Sequence, residues 1–247
     1  VDCGYEHTSG DWRCNERFAA GWGPLVKKMQ AAGAMPGIWL APLSVHNSLE
    51  LFKEHPDWFQ RGAKGELLGP FGHWGPCAYW LDPTHPGVQE FIRRTIRDAK
   101  REGFTYFKID FNEVIGECRF YDTSKTRLEA YRDLYKLYRE EIGEESYLLA
   151  CSLFMPGVLG YVDAVRTGYD SEPMWRAKHL CSISECIHNL GMAASVNGVL
   201  FANDPDVTYN RLRGTLTEAE LQTWHSFVGL LGGAAMISEP LQAPEHS

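Results

Sequence analysis

No stretch of this chain approaches the roughly twenty apolar residues that a membrane-spanning helix needs. Basic charge is also scarce. The 24 Lys and Arg stand against 32 Asp and Glu, a net charge of −8 that offers no general attraction to nucleic acid or to an anionic membrane. The seven cysteines (Cys3, Cys14, Cys77, Cys118, Cys151, Cys181 and Cys186) contain no C-x-x-C pair. Their odd number argues against a complete disulfide framework, and zinc-type spacing is missing. They read mostly as reduced, buried thiols, which favours a cytoplasmic origin. No G-x-G-x-x-G or Walker sequence follows an apolar run, which lowers the case for an open nucleotide-binding sheet. None of the nine histidines forms a ligand pair at useful spacing, and there is no internal repeat, low-complexity tract or linker. The opening residues do not read as a signal peptide. The chain opens at Val1, without methionine and in the middle of a motif, so it reads as an excised segment of a longer chain.

What is present is an alternation. With 247 residues, 44% hydrophobic and 13% aromatic, the chain can build one large domain with a full core. Apolar residues recur at three- and four-residue steps in Gly23–Ala32, Val88–Arg101, Arg127–Ile142 and Leu216–Leu231, which predicts helices. Between them lie the short apolar runs Met35–Pro42, Phe104–Phe111, Ser146–Leu153, Val162–Thr167, Val199–Asn203 and Ala234–Ser238. Strand-like runs separated by helices indicate β-α units and a parallel sheet. Several runs end on polar groups: Asp110 with Asn112, Cys151 with Ser152, Arg166 through Asp170, Asp204 with Asp206, and Ser238 with Glu239. In a (β/α)8 barrel the carboxyl ends of the strands form the active-site face, so such endings point to one shared pocket. The expected fold class is therefore α/β, a (β/α)8 TIM barrel over residues 1–247. Val1-Asp2 would be the end of a further strand, and the first β-α unit is missing. The Gly- and Pro-rich stretch Gly62–Pro86, with His73, Trp74, Tyr79 and Trp80, reads as a long loop at the barrel mouth.

FKIDFNE, Phe107 to Glu113, carries the sharpest chemical signal. Residues two apart on a strand share a face, so Lys108, Asp110 and Asn112 are expected to look the same way. Asp110 and Asp170 both close strand-like segments, and two carboxylates across a pocket can divide glycoside cleavage between a nucleophile and an acid/base. Lys108 beside Asp110 would favour the ionised carboxylate. Arg166, four residues before Asp170, would bind substrate hydroxyls or orient the acid. Against this, either aspartate can simply cap the next helix. Tyr5, Trp12, Trp39, Trp74, Trp80, Tyr169 and Trp175 suit a sugar pocket, because sugar rings present apolar C–H faces to aromatic rings; core packing accounts for about half of the eight Trp. Trp39, inside a strand-like run, fits either role. The Asn203-Asp204-Pro205-Asp206 sequence is either a turn or, with Asp110 and Glu113, a cluster of carboxylates for a hard divalent cation. Lys108 beside such an ion speaks against the second.

Quoted in order, VDCGYE, GDWRCNERF, GIWLAPLSVHNSLELFKEHPDW, WLDPTHP, FKIDFNE, ACS, VDAVRTGYDSEPMW, FANDPDV and LLGGAAMISEPL resemble the catalytic barrel of α-galactosidases of glycoside hydrolase family 36, in the same clan as family 27. The resemblance covers almost the entire chain. It implies a retaining double displacement on terminal α-galactosides through a covalent glycosyl-enzyme, without a cofactor or metal. It assigns Asp110 as nucleophile and Asp170 as general acid/base. Lys108 matches a contact to sugar hydroxyls, Asn112 and Cys151 match positions near the 2-hydroxyl side, and Arg166 belongs to the acid/base segment. Asp2 matches the first of two aspartates gripping the 4- and 6-hydroxyls, and Trp39 and Trp12 match aromatic positions around the galactose. The implied partner is an α-galactoside oligosaccharide or glycoconjugate, with no nucleic acid and no membrane; a homo-oligomer is left open.

The chain departs from the family pattern in places. Where the paired motif usually reads D-D-G, this chain has Asp2-Cys3-Gly4, and a thiol is a poor substitute for a carboxylate acceptor. Where relatives carry C-S-x-G-G, it has Cys151-Ser152-Leu153-Phe154-Met155. The family's amino-terminal β-sandwich and carboxy-terminal β domains have no counterpart in residues 1–247. Two other activities fit parts of the pattern: an α-galactosyl transferase of raffinose-synthase type, and a metal-dependent barrel lyase or aldolase-like enzyme using Asp110, Glu113, Asp204 and Asp206. A non-catalytic sugar-binding barrel is the third.

Overall fold

The computed structural model describes residues 1–71, 77–112, 118–151, 155–178, 181–212 and 214–238, and the chain falls into two compact units, Val1–Val162 and Asp163–Ser247. His73, Trp74, Glu113, Ser152, Leu153, Phe154 and Glu239, which figured in the sequence reading, lie outside the described residues.

The first unit runs α1 (Gly23–Ala31), β1 (Gly37–Leu40), β2 (Ser44–His46), α2 (Glu50–Glu54), β3 (Ala78–Trp80), α3 (Pro86–Arg101), β4 (Tyr106–Ile109), α4 (Arg127–Ile142), β5 (Tyr147–Cys151) and the single turn α5 (Met155–Val158). Strand β4 lies between β1 and β5 and is parallel to both; Lys108 pairs with Trp39 on one side and Leu149 on the other. Val1 adds a rung on the far side of β1, its amino group donating to Gly37 O at 2.7 Å and its carbonyl accepting from Trp39 N at 3.0 Å. Val1 and Asp2 lie in no strand, and the strand end read there is met only by these two bonds.

Both long helices start on signals visible in the sequence. His85 accepts from the Gly87 amide and Pro86 opens α3, where its missing N–H costs nothing. Thr126 and Glu129 exchange bonds in a capping box at the start of α4. Val88, Phe91, Ile92, Ile96 and Ala99 form the buried stripe of α3, and Leu134, Tyr135, Tyr138 and Ile142 that of α4. Helix α3 packs against α4, and α4 against β5, while Phe107, Ile109 and Leu148 of the sheet are fully enclosed. The stretch expected as a plain loop, Gly62–Pro86, contains β3, which pairs antiparallel with β2 (Val45 with Tyr79). Only three residues long, β3 is too short to announce itself by alternation.

The second unit runs β6 (Ala164–Arg166), α6 (Ile183–Ala193), β7 (Ala202–Asp204), β8 (Val207–Thr208), α7 (Glu218–Leu231) and β9 (Met236–Ile237). Strands β6 and β7 are parallel, with Arg166 opposite Asp204, and β8 pairs in parallel with β9. Trp224, Ile183, Cys186, Leu190 and Tyr209 make its core, and a Thr217–Glu220 capping box starts α7. Strand β7 begins later than expected: Val199 and Leu200, read as strand, are exposed and precede it. Gly233 has φ +94°, and a Cβ there would lie 2.3 Å from the Asn203 carbonyl oxygen. The bare backbone lets Ala234 N donate to that same oxygen at 2.8 Å, bringing the chain after α7 against β7.

The seven cysteines stand as thiols, with none joined in a disulfide. Only Cys151 and Cys186 are buried, so the expectation of mostly buried thiols is corrected. Among the described residues, no helix is long and apolar enough to cross a membrane.

Candidate active site

Asp110 follows the last residue of β4 and keeps the ladder going by one bond, its amide donating to Leu40 O at 2.8 Å. Its carboxylate is 9% exposed and accepts twice: from the Trp39 indole N–H at 3.1 Å and from the Phe111 amide at 2.8 Å. Phe111 pays for the second bond with a left-handed backbone, φ +51°. The result is an acid aimed and desolvated at a strand's carboxyl end, with lone pairs still available. Around it, Trp12 meets Trp39 edge-on with centroids 6.1 Å apart, and Phe111 packs on Trp39 and on Trp80 at 6.4 and 6.0 Å. The Trp12 indole nitrogen is buried without a hydrogen-bond acceptor among the described residues. Tyr5 is core, with its hydroxyl donating to Trp39 O at 3.0 Å.

Lys108, 14% exposed at its side chain, reaches Asp2 Oδ2 at 2.9 Å. Burial alone would raise the Asp2 carboxyl pKa; the Lys108 charge and hydrogen bond, helped by the Cys3 amide, outweigh it and hold the carboxyl below its ordinary range. Cys3 moves the other way. Burial, then the Asp2 and Glu6 charges, push its thiol up to about 11, so a neutral S–H stands beside Asp2. Cys151 ends β5, one step beyond the Ile109–Ala150 rung.

Asn112 does not share a face with Lys108. It is 1% exposed, its amide donates to the Tyr135 hydroxyl at 3.2 Å, and its carbonyl accepts from the Tyr138 hydroxyl at 2.7 Å. The left-handed turn at Phe111 ends strand alternation and swings Asn112 toward α4. The Asn112 amide, matched above to the 2-hydroxyl side of the sugar, is bonded here to two helix tyrosines.

In the second unit, Arg166 at the end of β6 donates from Nη1 to Asp170 Oδ1 at 2.7 Å. The Asp170 side chain is 65% exposed and that of Arg166 is 15% exposed. Asn203 and Asp204 close β7, and Pro205 with Asp206, whose φ is +71°, connects it to β8. Asp204 Oδ1 accepts from the Asp206 amide at 2.8 Å, and Asp206 Oδ2 accepts from the Ser171 amide at 2.7 Å. The motif is thus a strand end and a two-residue connection, and it ties to the residue after Asp170. The carboxylate cluster proposed for a cation included Glu113, which is not described; among the described residues no group of three or more His, Cys, Asp or Glu is arranged for a metal ion. Ser171, Tyr209 and Phe111 carried no signal in the sequence.

A cavity of about 570 Å³ in the first unit is lined by Trp12, Trp22, Ile38, Leu40, Phe91 and Arg94 among others, but not by Asp110 or Lys108. Its lining draws on residues 10–14, on β1 and on α3, so volume alone does not locate the chemistry.

The sequence profile of the melibiase family matches residues 5–218. The α-galactosidase AgaA of Geobacillus stearothermophilus is 28% identical over 210 residues, covering 77% of this chain and 27% of that enzyme. Among solved structures, the α-galactosidase of Thermus thermophilus in complex with p-nitrophenyl α-D-galactopyranoside is 26% identical, with a TM-score of 0.80 over 97% of this chain and 51% of that one. The same enzyme in complex with stachyose is 28% identical at the same TM-score, over 97% and 53%. The chain thus spans about a quarter of the curated relative and about half of the solved one. The likeness in fold bears out the α/β class expected from the sequence, a (β/α)8 barrel in part.

Proposed function

This chain belongs to the melibiase family, and we propose on that footing that it is the catalytic segment of a retaining glycoside hydrolase acting on terminal α-galactosyl groups. The observation that carries the proposal is the Asp110 carboxylate, buried at the end of β4 between the Trp39 indole and the Phe111 amide. Two donors on an enclosed carboxylate hold it still and aim it, as a nucleophile requires.

In this reading Asp110 attacks the anomeric carbon and the glycosidic bond breaks, leaving a covalent galactosyl-enzyme. Asp170 protonates the departing oxygen, then takes a proton from the water that releases galactose. The Lys108–Asp2 pair presents a charged donor and a charged acceptor to sugar hydroxyls. Trp39 and Trp12 offer ring faces, Cys151 lies on the 2-hydroxyl side, and Arg166 orients Asp170. Asn112 fixes the turn behind Asp110 and does not touch sugar. The ligands of the Thermus thermophilus relative, an aryl α-galactoside and stachyose, support a small or oligosaccharide α-galactoside as substrate. Residues 1–247 act here as one catalytic barrel segment of a larger enzyme.

The test is mass spectrometry after treatment with a mechanism-based α-galactosyl inhibitor. The label should sit on the peptide containing Asp110; a label on another carboxylate, or none despite inhibition, overturns the assignment. Product analysis with and without an added sugar acceptor then separates hydrolysis from transfer.

A further inference from the structure

Asp170 presents a difficulty for any proton-transfer role. A general acid must stay within hydrogen-bond reach of one oxygen, yet this side chain is mostly open to solvent and gains little restraint from packing. Apart from its bond to Arg166, its position comes from the backbone on either side, and that backbone is held from several directions. The Cys186 thiol on α6 lies 3.4 Å from the Tyr169 carbonyl oxygen, one residue before. One residue after, the Ser171 amide donates to Asp206 Oδ2 at 2.7 Å, and its hydroxyl lies 3.0 Å from the same oxygen and 2.8 Å from Val207 O. The Ser171 carbonyl accepts from the Tyr209 hydroxyl. Glu172 N closes a tight turn onto Asp170 O at 3.1 Å.

Asp206 is built for this contact at a cost. Its φ of +71° is a conformation that a non-glycine residue adopts only at roughly 1 kcal/mol or more. The bond from its amide to Asp204 Oδ1 and the two groups of Ser171 on its carboxylate oppose that strain. Asp204 is fully buried and stands opposite Arg166 in the β6–β7 ladder. The grip on the Asp170 side chain, through Arg166, and the grip on its backbone, through Asp206, therefore start from one rung.

We propose that Asp206, assisted by Tyr209, is a positioning residue that sets Asp170 through the Ser171 backbone; this rests on the reading of Asp170 as the acid/base. Burial, chiefly, pushes the Cys186 thiol up to about 12, so it stays an S–H donor and supports the same segment from the other side.

The experiment compares the full chain with Asp206→Ala, Asp206→Asn and Tyr209→Phe, using Asp170→Ala as reference. Each is assayed on an α-galactoside with a poor, sugar leaving group and on a dinitrophenyl α-galactoside, whose departure needs no proton. Misplacing a catalytic group by about 1 Å costs on the order of a hundredfold. Asp206→Ala should therefore lose about 10- to 100-fold in kcat/KM on the poor leaving group, less than about threefold on the aryl substrate, and shift the basic limb of the pH profile on the former. Tyr209→Phe should show the same selectivity more weakly. Asp206→Asn, which keeps an acceptor oxygen and tolerates the left-handed backbone, should recover most of the loss. Equal loss on both substrates with an unchanged pH profile, in variants that circular dichroism shows folded, overturns the positioning role. If Asp170→Ala is itself unselective, the acid/base assignment falls; if only Asp206→Ala and Tyr209→Phe are unselective, the positioning role alone falls.

Discussion

Trp39 and Asp110 sit on neighbouring parallel strands, and the indole N–H of the first meets Oδ2 of the second at 3.1 Å. The bond gives a core tryptophan a chemical duty: its ring packs while its nitrogen aims a carboxylate. A hydrogen bond to a charged group contributes about 1.5–3 kcal/mol. Trp39→Phe keeps the ring and removes the donor, so kcat on an aryl α-galactoside should fall about 10- to 100-fold. Asp110→Ala should abolish turnover, with azide restoring a galactosyl product of inverted configuration. Ordinary activity in Asp110→Ala would remove it from the mechanism.

Lys108 holds Asp2 ionised against burial. Because the folded pKa of Asp2 is depressed, its part in stability is present above the ordinary carboxyl pKa and is lost as pH falls through the lowered folded value. With Lys108→Met the largest remaining influence is burial, which raises the pKa. Loss of sugar affinity on acidification should then begin at a higher pH than in the parent. Calorimetric titration with galactose across pH 3–6 checks this (the window follows the usual carboxyl range). An unchanged acid limb would mean that Asp2 takes no part in binding.

Asn112→Ala should behave as a structural lesion. It leaves the buried Tyr135 and Tyr138 hydroxyls without the amide they bond. An abandoned buried polar group costs about 1–3 kcal/mol, so the melting temperature should drop by roughly 3–10 °C. KM for an aryl α-galactoside should change less than about twofold, whereas a true sugar contact would raise KM and leave the melting temperature alone.

Gly233→Ala should destabilise by about 2 kcal/mol or more, because a methyl group would collide with the Asn203 carbonyl and the left-handed backbone would be strained as well. Thermal denaturation is the readout. Gly229→Ala, within α7, meets open space and should be neutral or slightly stabilising.

Much of the architecture was legible along the chain. The periodic stretches at Arg127–Ile142 and Val88–Arg101 became α4 and α3 within a residue or two, and the apolar runs before Asp110, Cys151 and Arg166 became strands. Periodicity and caps are local quantities, set by neighbours three or four positions away. What escaped was either too short or too bent. β3 and β8 hold three and two residues. Helix α6, Ile183–Ala193, was not foreseen at all, since its serine, cysteine and glycine blur the apolar stripe. Asn112 was placed on the wrong side because alternation was carried one step past the left-handed Phe111.

By itself, then, the order of residues determined the alternating elements, the acidic strand ends and the family to which they belong. Tertiary structure alone decided which side chains act together. Trp39 and Asp110 are 71 positions apart, Asp2 and Lys108 are 106, and Ser171 and Asp206 are 35. Such pairs form only when folding brings distant stretches of chain side by side, and a charge or an indole N–H finds its partner by proximity in space.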